Sequence, residues 1–122
     1  MFRASKVAIA TDTNGAATVY SEPFVGLLYG FVYVPGTLDT GADLTITDEA
    51  TGAALLTVTN AGTSIVPLLP RGATAGITNA AALYAAGGTG ILDLLPVAGR
   101  VKVVVAQGAS TKAGSLWVFW QE

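Results

Sequence analysis

Four acidic residues crowd one stretch of the chain: Asp39, Asp43, Asp48 and Glu49. They carry most of the available chemistry, because the chain has no His and no Cys. That excludes imidazole general bases, Ser-His-Asp and Cys-His nucleophiles, disulfides and nearly all zinc sites. Asp39 opens the string Asp39-Thr40-Gly41, in which a carboxylate sits on a Thr-Gly turn. Two such carboxylates about 3 Å apart share one proton, so that one activates water as a base while the other acts as an acid. This chain has one such string, so the pair would need a second copy. The same four acids could offer oxygens to calcium, but their spacing fits no EF-hand loop and reads equally well as a solvated turn.

The elements around Asp39 decide what it does. Leu38 to Asp43, LDTGAD, resembles the segment around the catalytic aspartate of retroviral-type aspartic proteases. That resemblance implies a homodimer with Asp39 catalytic, Thr40 and Gly41 bracing it, and Val97-Ala98-Gly99-Arg100 as the supporting segment. The surroundings depart from the pattern. Pro35, Gly36 and Thr37 separate the aspartate from the preceding strand, and an acidic turn, Asp48 to Gly52, stands where a flexible flap is needed. The plainer reading is a lead-in loop to a hairpin. In it Asp39 accepts backbone hydrogen bonds, Leu44, Ile46, Leu56 and Val58 point inward, and a row of threonines points outward.

Strand patterns recur along the rest of the chain. Val7 and Ile9 alternate with small or polar residues from Ser5 to Thr11, and the Asp12 to Gly15 turn predicts a hairpin with Ala17 to Tyr20. Val25 to Val34 is apolar at both parities, the pattern of a central strand, with Val25, Leu27, Tyr29, Phe31 and Tyr33 on one face. Gly26 and Gly30 leave flat spots there for a close neighbour. Asp43 to Thr47 and Ala54 to Thr59 form the acidic-turn hairpin, and Ser64 to Leu69 a further short strand. Ile91 to Leu95 reads as a strand, Pro96 to Gly99 as a turn, and Arg100 to Gln107 as a strand paired in a hairpin with Ser115 to Trp120. The Ala/Gly-rich segment from Arg71 to Gly90 reads as two helical turns or a long loop. The fold class that follows is all-β: one domain, residues 1–122, an antiparallel β-sandwich or jelly roll of eight or nine short strands with one long Ala/Gly-rich loop or short helix.

Composition narrows the function. Only 11% of residues are charged, against about 25% in an average soluble domain, while 52% are hydrophobic. With so few charges to cover the surface, the outer faces must be built from Ala, Thr, Gly and Ser, the kind of surface other subunits cover. Net charge is -2, and the cations Arg3, Lys6, Arg71, Arg100, Lys102 and Lys112 are scattered, so no phosphate-binding patch and no direct nucleic-acid partner is expected. The apolar run Val25 to Val34 is too short to span a bilayer, and the N-terminal residues alternate where a signal peptide would be continuously apolar. No cofactor site is expected, and no enzymatic activity. Trp117, Phe119 and Trp120 could form a sugar-stacking platform, which keeps open a glycan-binding phage tail or baseplate module.

Taken together, YGFVYVPGTLDTGADLTITDEATGAALLT, GRVKVVVAQG and the closing SLWVFW resemble small virion structural proteins of tailed bacteriophages, especially those that decorate or cement the capsid. The resemblance implies a non-enzymatic β-sandwich or jelly roll. It would bind the outside of a major capsid protein lattice, commonly as a trimer, and be localised to the virion after synthesis in the host cytoplasm. The contacts it implies are the N-terminal arm with Phe2 and Arg3, the Arg71 to Gly90 segment with Arg71, Ile77, Leu83 and Tyr84, and the aromatic C-terminal strand with Trp117 and Trp120.

Overall fold

A computed structural model of the protein describes residues 2–73 and 92–122. The expected helix or loop lies almost entirely outside these residues, as do Ile77, Leu83 and Tyr84. The strands are β1 (Phe2–Ala10), β2 (Ala17–Tyr20), β3 (Phe24–Val34), β4 (Asp43–Asp48), β5 (Ala54–Val58), β6 (Val66–Leu68), β7 (Gly72–Ala73), β8 (Leu92–Asp93), β9 (Leu95–Gly99), β10 (Val101–Ala106) and β11 (Ala113–Gln121).

The strands form two packed antiparallel sheets. One runs β1-β11-β3-β6, with β9 also on β3; the other runs β2-β10-β4-β5; β7 and β8 make a small separate ribbon. The pairings are nested: β4 with β5, β3 with β6, β2 with β10, β1 with β11. The chain is thus a single ribbon doubled back on itself and rolled, which is the jelly-roll arrangement. β11 then pairs β3 and β10 pairs β4, closing each sheet.

Alternation fills the core as the sequence predicts. Val7 and Ile9, Leu44 and Ile46, Val101, Val103 and Val105, and Leu116, Val118 and Trp120 all point between the sheets and are buried. Each such side chain contributes about 1.5–3 kcal/mol of burial. Leu38 and Ala42, the two ends of the Asp39 loop, are also buried, so that loop is pinned by its apolar residues.

Three expectations are corrected. The hairpin between the first two strands does not form, and neither does the one between the last two: β1 and β11 lie in one sheet, β2 and β10 in the other. The turns that would have closed those hairpins instead cross between sheets and bond to each other, Gly108 N–H donating to Gly15 O at 2.9 Å and Thr111 N–H to Asp12 O at 3.0 Å. A turn sequence fixes a reversal of direction, not the strand it returns beside. Residues Pro96 to Gly99 are not a turn but most of β9, paired to Phe24–Leu28. Finally, β3 does not keep one inward face. Phe119 pairs Gly30 and Trp120 pairs Leu28, which leaves Tyr29 as an extra residue in a β-bulge. The bulge reverses the parity: Phe24 and Leu28 point inward before it, Phe31 and Tyr33 after it. The two glycines behave as read: the Gln121 carbonyl oxygen occupies the space a Cβ would need at Gly26, and Leu69 Cδ2 would lie 2.5 Å from one at Gly30.

Candidate interaction surface

The two outer faces of the sandwich differ in chemistry. On the β2-β10-β4-β5 sheet, Thr18, Thr45 and Thr57 are exposed and Thr47 and Lys102 half-exposed, the threonine face read from the sequence. On the other sheet the outward positions are aromatic and aliphatic. Because Leu116, Val118 and Trp120 point inward, Trp117 and Phe119 point out. The bulge turns Tyr29 outward beside Val25 and Leu27, and sets Val32 outward beyond it. Phe2 of β1 and Leu69, just past β6, complete the face. Exposure reaches 76% at Val25, 61% at Phe2 and 55% at Leu69, values that leave large apolar side chains in water.

Tyr29 organises this surface. The Phe2 ring meets it edge-on, centroids 5.2 Å apart at 88°, and the Arg71 guanidinium lies 5.2 Å from its centroid on another side. Arg71 also donates to the Tyr29 carbonyl at 2.7 Å and to that of Pro70 at 2.8 Å. Beside this cluster lies an open depression of about 450 Å³ lined by Tyr29, Gly30, Val32, Pro67, Leu69 and Phe119. Charge stays at the margin, where Arg3 pairs with Glu122 at 3.3 Å.

Of the contact residues expected from sequence, Phe2 and Trp117 are on this face, Arg71 is at its edge and Arg3 at the end of the same strand pair. Trp120 is not a surface residue. It is 2% exposed and stacked on Phe24, with ring centroids 4.2 Å apart, because its parity on β11 matches Leu116 and Val118. Of the sugar-stacking platform read from Trp117, Phe119 and Trp120, Trp117 and Phe119 share the outer face while Trp120 lies on the opposite side of the sheet. Val25, Leu27, Tyr29, Val32 and Leu69 were missed as surface residues. For all but Leu69 the signal was the run from Val25 to Val34, apolar at both parities, which reads as burial on both sides and fits equally well a sheet with one face left for a partner.

The acidic stretch is dispersed into separate structural tasks. Asp39 is exposed in the loop between β3 and β4, and its carboxylate accepts the Gly41 N–H at 3.1 Å. Asp43 accepts the Asn60 N–H at 2.9 Å, and the buried Asp48 accepts that of Ala50 at 3.1 Å. Glu49 takes a two-pronged hydrogen bond from Arg100, 2.9 Å from Nε, and this holds its carboxyl below the ordinary range. The Arg100 guanidinium also lies 4.2 Å from the Tyr20 ring centroid. Among the described residues no three of these carboxylates gather as metal ligands would. Arg100, offered above as part of a brace for Asp39, is committed instead to Glu49.

Compared with known proteins, the chain matches no family model and no curated protein.

Proposed function

We propose that this chain is a non-enzymatic virion structural protein that decorates or cements the capsid of a tailed phage, seating the apolar outer face of its β1-β11-β3 sheet against the major capsid protein lattice. The observation that carries the reading is that face. Phe2, Val25, Leu27, Tyr29, Leu69 and Trp117 are each 37–76% exposed. With Val32, Pro67 and Phe119 they present on the order of 700 Å², close to one partner's share of a standard protein interface. Its make-up, aromatic residues and an Arg around a charge-free centre, is that of an interface core.

Two further features support it. Jelly rolls recur among capsid proteins, an analogy of fold alone. The resemblance to phage decoration proteins points the same way and favours a trimer. Burial of this face across the seams of a lattice adds attachment free energy at every site, which resists outward pressure from packaged DNA.

Mass spectrometry of gradient-purified particles is the test. A copy number in fixed proportion to the major capsid protein is expected. Trp117→Asp and Val25→Asp, both on the exposed face, should leave the fold intact and deplete the protein from particles at least tenfold. Absence of the wild-type chain from particles would overturn the reading.

A further inference from the structure

Among the described residues, the two main sheets have four edges, and three of them are blunted. β2 has four residues and is soon followed by Pro23; β5 has five and is bulged at Leu55, where Ile46 pairs Leu56 and Thr47 pairs Ala54. The outer edge of β3 is shared by β6 and β9, which carry Pro67 and Pro96 and are interrupted at the Tyr29 bulge. Short strands, bulges and prolines are the ordinary devices that stop sheets from adding strands. β1 has none of these three, and the guard it does carry is charge, at Lys6 and Arg3, which bars a like-charged strand and leaves an acidic one admissible. Its nine residues pair with β11 in unbroken register and include no Pro and no Gly.

The polarity of this edge follows from the ladder. Thr11 N–H donates to Lys112 O at 2.8 Å, so the odd-numbered residues of β1 turn their backbone groups toward β11 and the even-numbered ones turn theirs away. Phe2, Ala4, Lys6, Ala8 and Ala10 are all exposed, and among the described residues none makes a backbone hydrogen bond beyond the β11 ladder.

We propose that this open edge takes a strand from another protein: an extended, acidic segment of the subunit on which this chain assembles. The inference rests on the assembly reading above and names the contact. Charge selects the occupant. Arg3 is already paired with Glu122, which leaves Lys6 as the uncompensated charge of β1, so pairing with a second copy's β1 centred on Lys6 would set two unpaired ammoniums against each other. Pairing it with the β6–β9 edge of a second copy would meet Pro67 and Pro96, which lack donors. An incoming strand with Asp or Glu opposite Lys6 and small residues beside Ala4 and Ala8 satisfies the exposed groups. Backbone bonds supply attachment and the side-chain match supplies selectivity. Lys6 is in no ion pair among the described residues. It stands beside Trp117 on β11, so the added strand would continue the apolar face.

Residue-resolved amide exchange of the full chain, free and bound to particles, tests this. The Ala4, Lys6 and Ala8 amides should exchange quickly in the free protein and at least tenfold more slowly when bound, while Val7 and Ile9, already laddered to β11, change little. Lys6→Glu should lower particle occupancy at least tenfold and Lys6→Arg should preserve it. Ala8→Pro, which removes an edge-facing N–H and no β11 bond, should also lower occupancy; if that variant fails to fold, the Lys6 pair decides. Unchanged exchange at Ala4, Lys6 and Ala8 in a particle-bound chain overturns the inference and leaves the assembly reading standing. Protection that appears in the free protein as its concentration rises would assign the edge to a second copy and also overturn it. Absence from particles overturns the assembly reading and this contact with it.

Discussion

Arg71 and Tyr29 are joined twice: the guanidinium donates to the Tyr29 carbonyl at 2.7 Å and lies 5.2 Å from the centroid of the Tyr29 ring. The contact falls on Tyr29, the residue that the bulge leaves unpaired between Leu28 and Gly30. It occupies a carbonyl that the bulge removes from the ladder and holds the ring outward.

Arg71→Ala should therefore loosen the bulge more than an ordinary surface change. A loss of about 1 kcal/mol is expected, the scale of an exposed charge-assisted hydrogen bond together with a ring contact. Arg71→Lys should recover little, because an ammonium cannot donate and stack at once. Urea midpoints of the two variants and of Tyr29→Phe, which keeps both contacts, check this.

Tyr33 is fully buried, and among the described residues its hydroxyl has no hydrogen-bond partner. Tyr33→Phe keeps the ring and removes the orphan, so it should stabilise the fold by about 1 kcal/mol. Burial pushes the Tyr33 phenol above its ordinary value. The folded state thus keeps the proton after the unfolded chain begins to lose it. Stability should be intact below about pH 10, the unfolded value, and fall as pH rises beyond it. The phenylalanine variant should show a shallower fall in urea titrations between pH 9 and 11.

Glu49 gives the opposite pH dependence. Its carboxyl is held low, first by the hydrogen bonds from Arg100, so its contribution is present above the ordinary Glu range and fades as pH drops through the folded value. Glu49→Gln should lower stability slightly at neutral pH and leave the acid end unchanged, which flattens the acid limb by the same amount, a small one because the pair is on the surface.

Asp39→Asn tests the protease resemblance. Asparagine can still accept the Gly41 N–H, so thermal unfolding should move by less than about 0.5 kcal/mol. Incubation of wild type with denatured casein at pH 4–5 should give no cleavage that depends on Asp39. Cleavage lost specifically in the asparagine variant would restore the enzymatic alternative.

The sandwich was legible because alternation is a local property: Val7, Ile9, Val101, Val103 and Val105 each report an inward face from two neighbours. Partner choice is not local, which is why two expected hairpins separate into opposite sheets. The face inversion at Tyr29 was hidden for a related reason. A bulge is defined by a mismatch between two strands, and Leu28, Tyr29 and Phe31 are all apolar, so either parity looks the same in sequence. For the candidate surface, Phe2 was legible as part of the N-terminal arm and Trp117 as part of the aromatic C-terminal strand. Trp120 misled because its burial depends on the parity of β11.

The place of β11 in the order of sheet pairing bears on how the chain acquires its structure. β11 is the last strand in the sequence, yet it lies between β1 and β3. Phe2 cannot reach its register opposite Gln121 until the 118 residues between them have been made. During synthesis β1 and β3 must wait, each lacking its neighbour, while the apolar residues meant for the core stay open to misassociation. Such long-range closure makes for slow folding, and removal of residues 113–122 would take away the centre of a sheet, leaving β1 and β3 without a common partner.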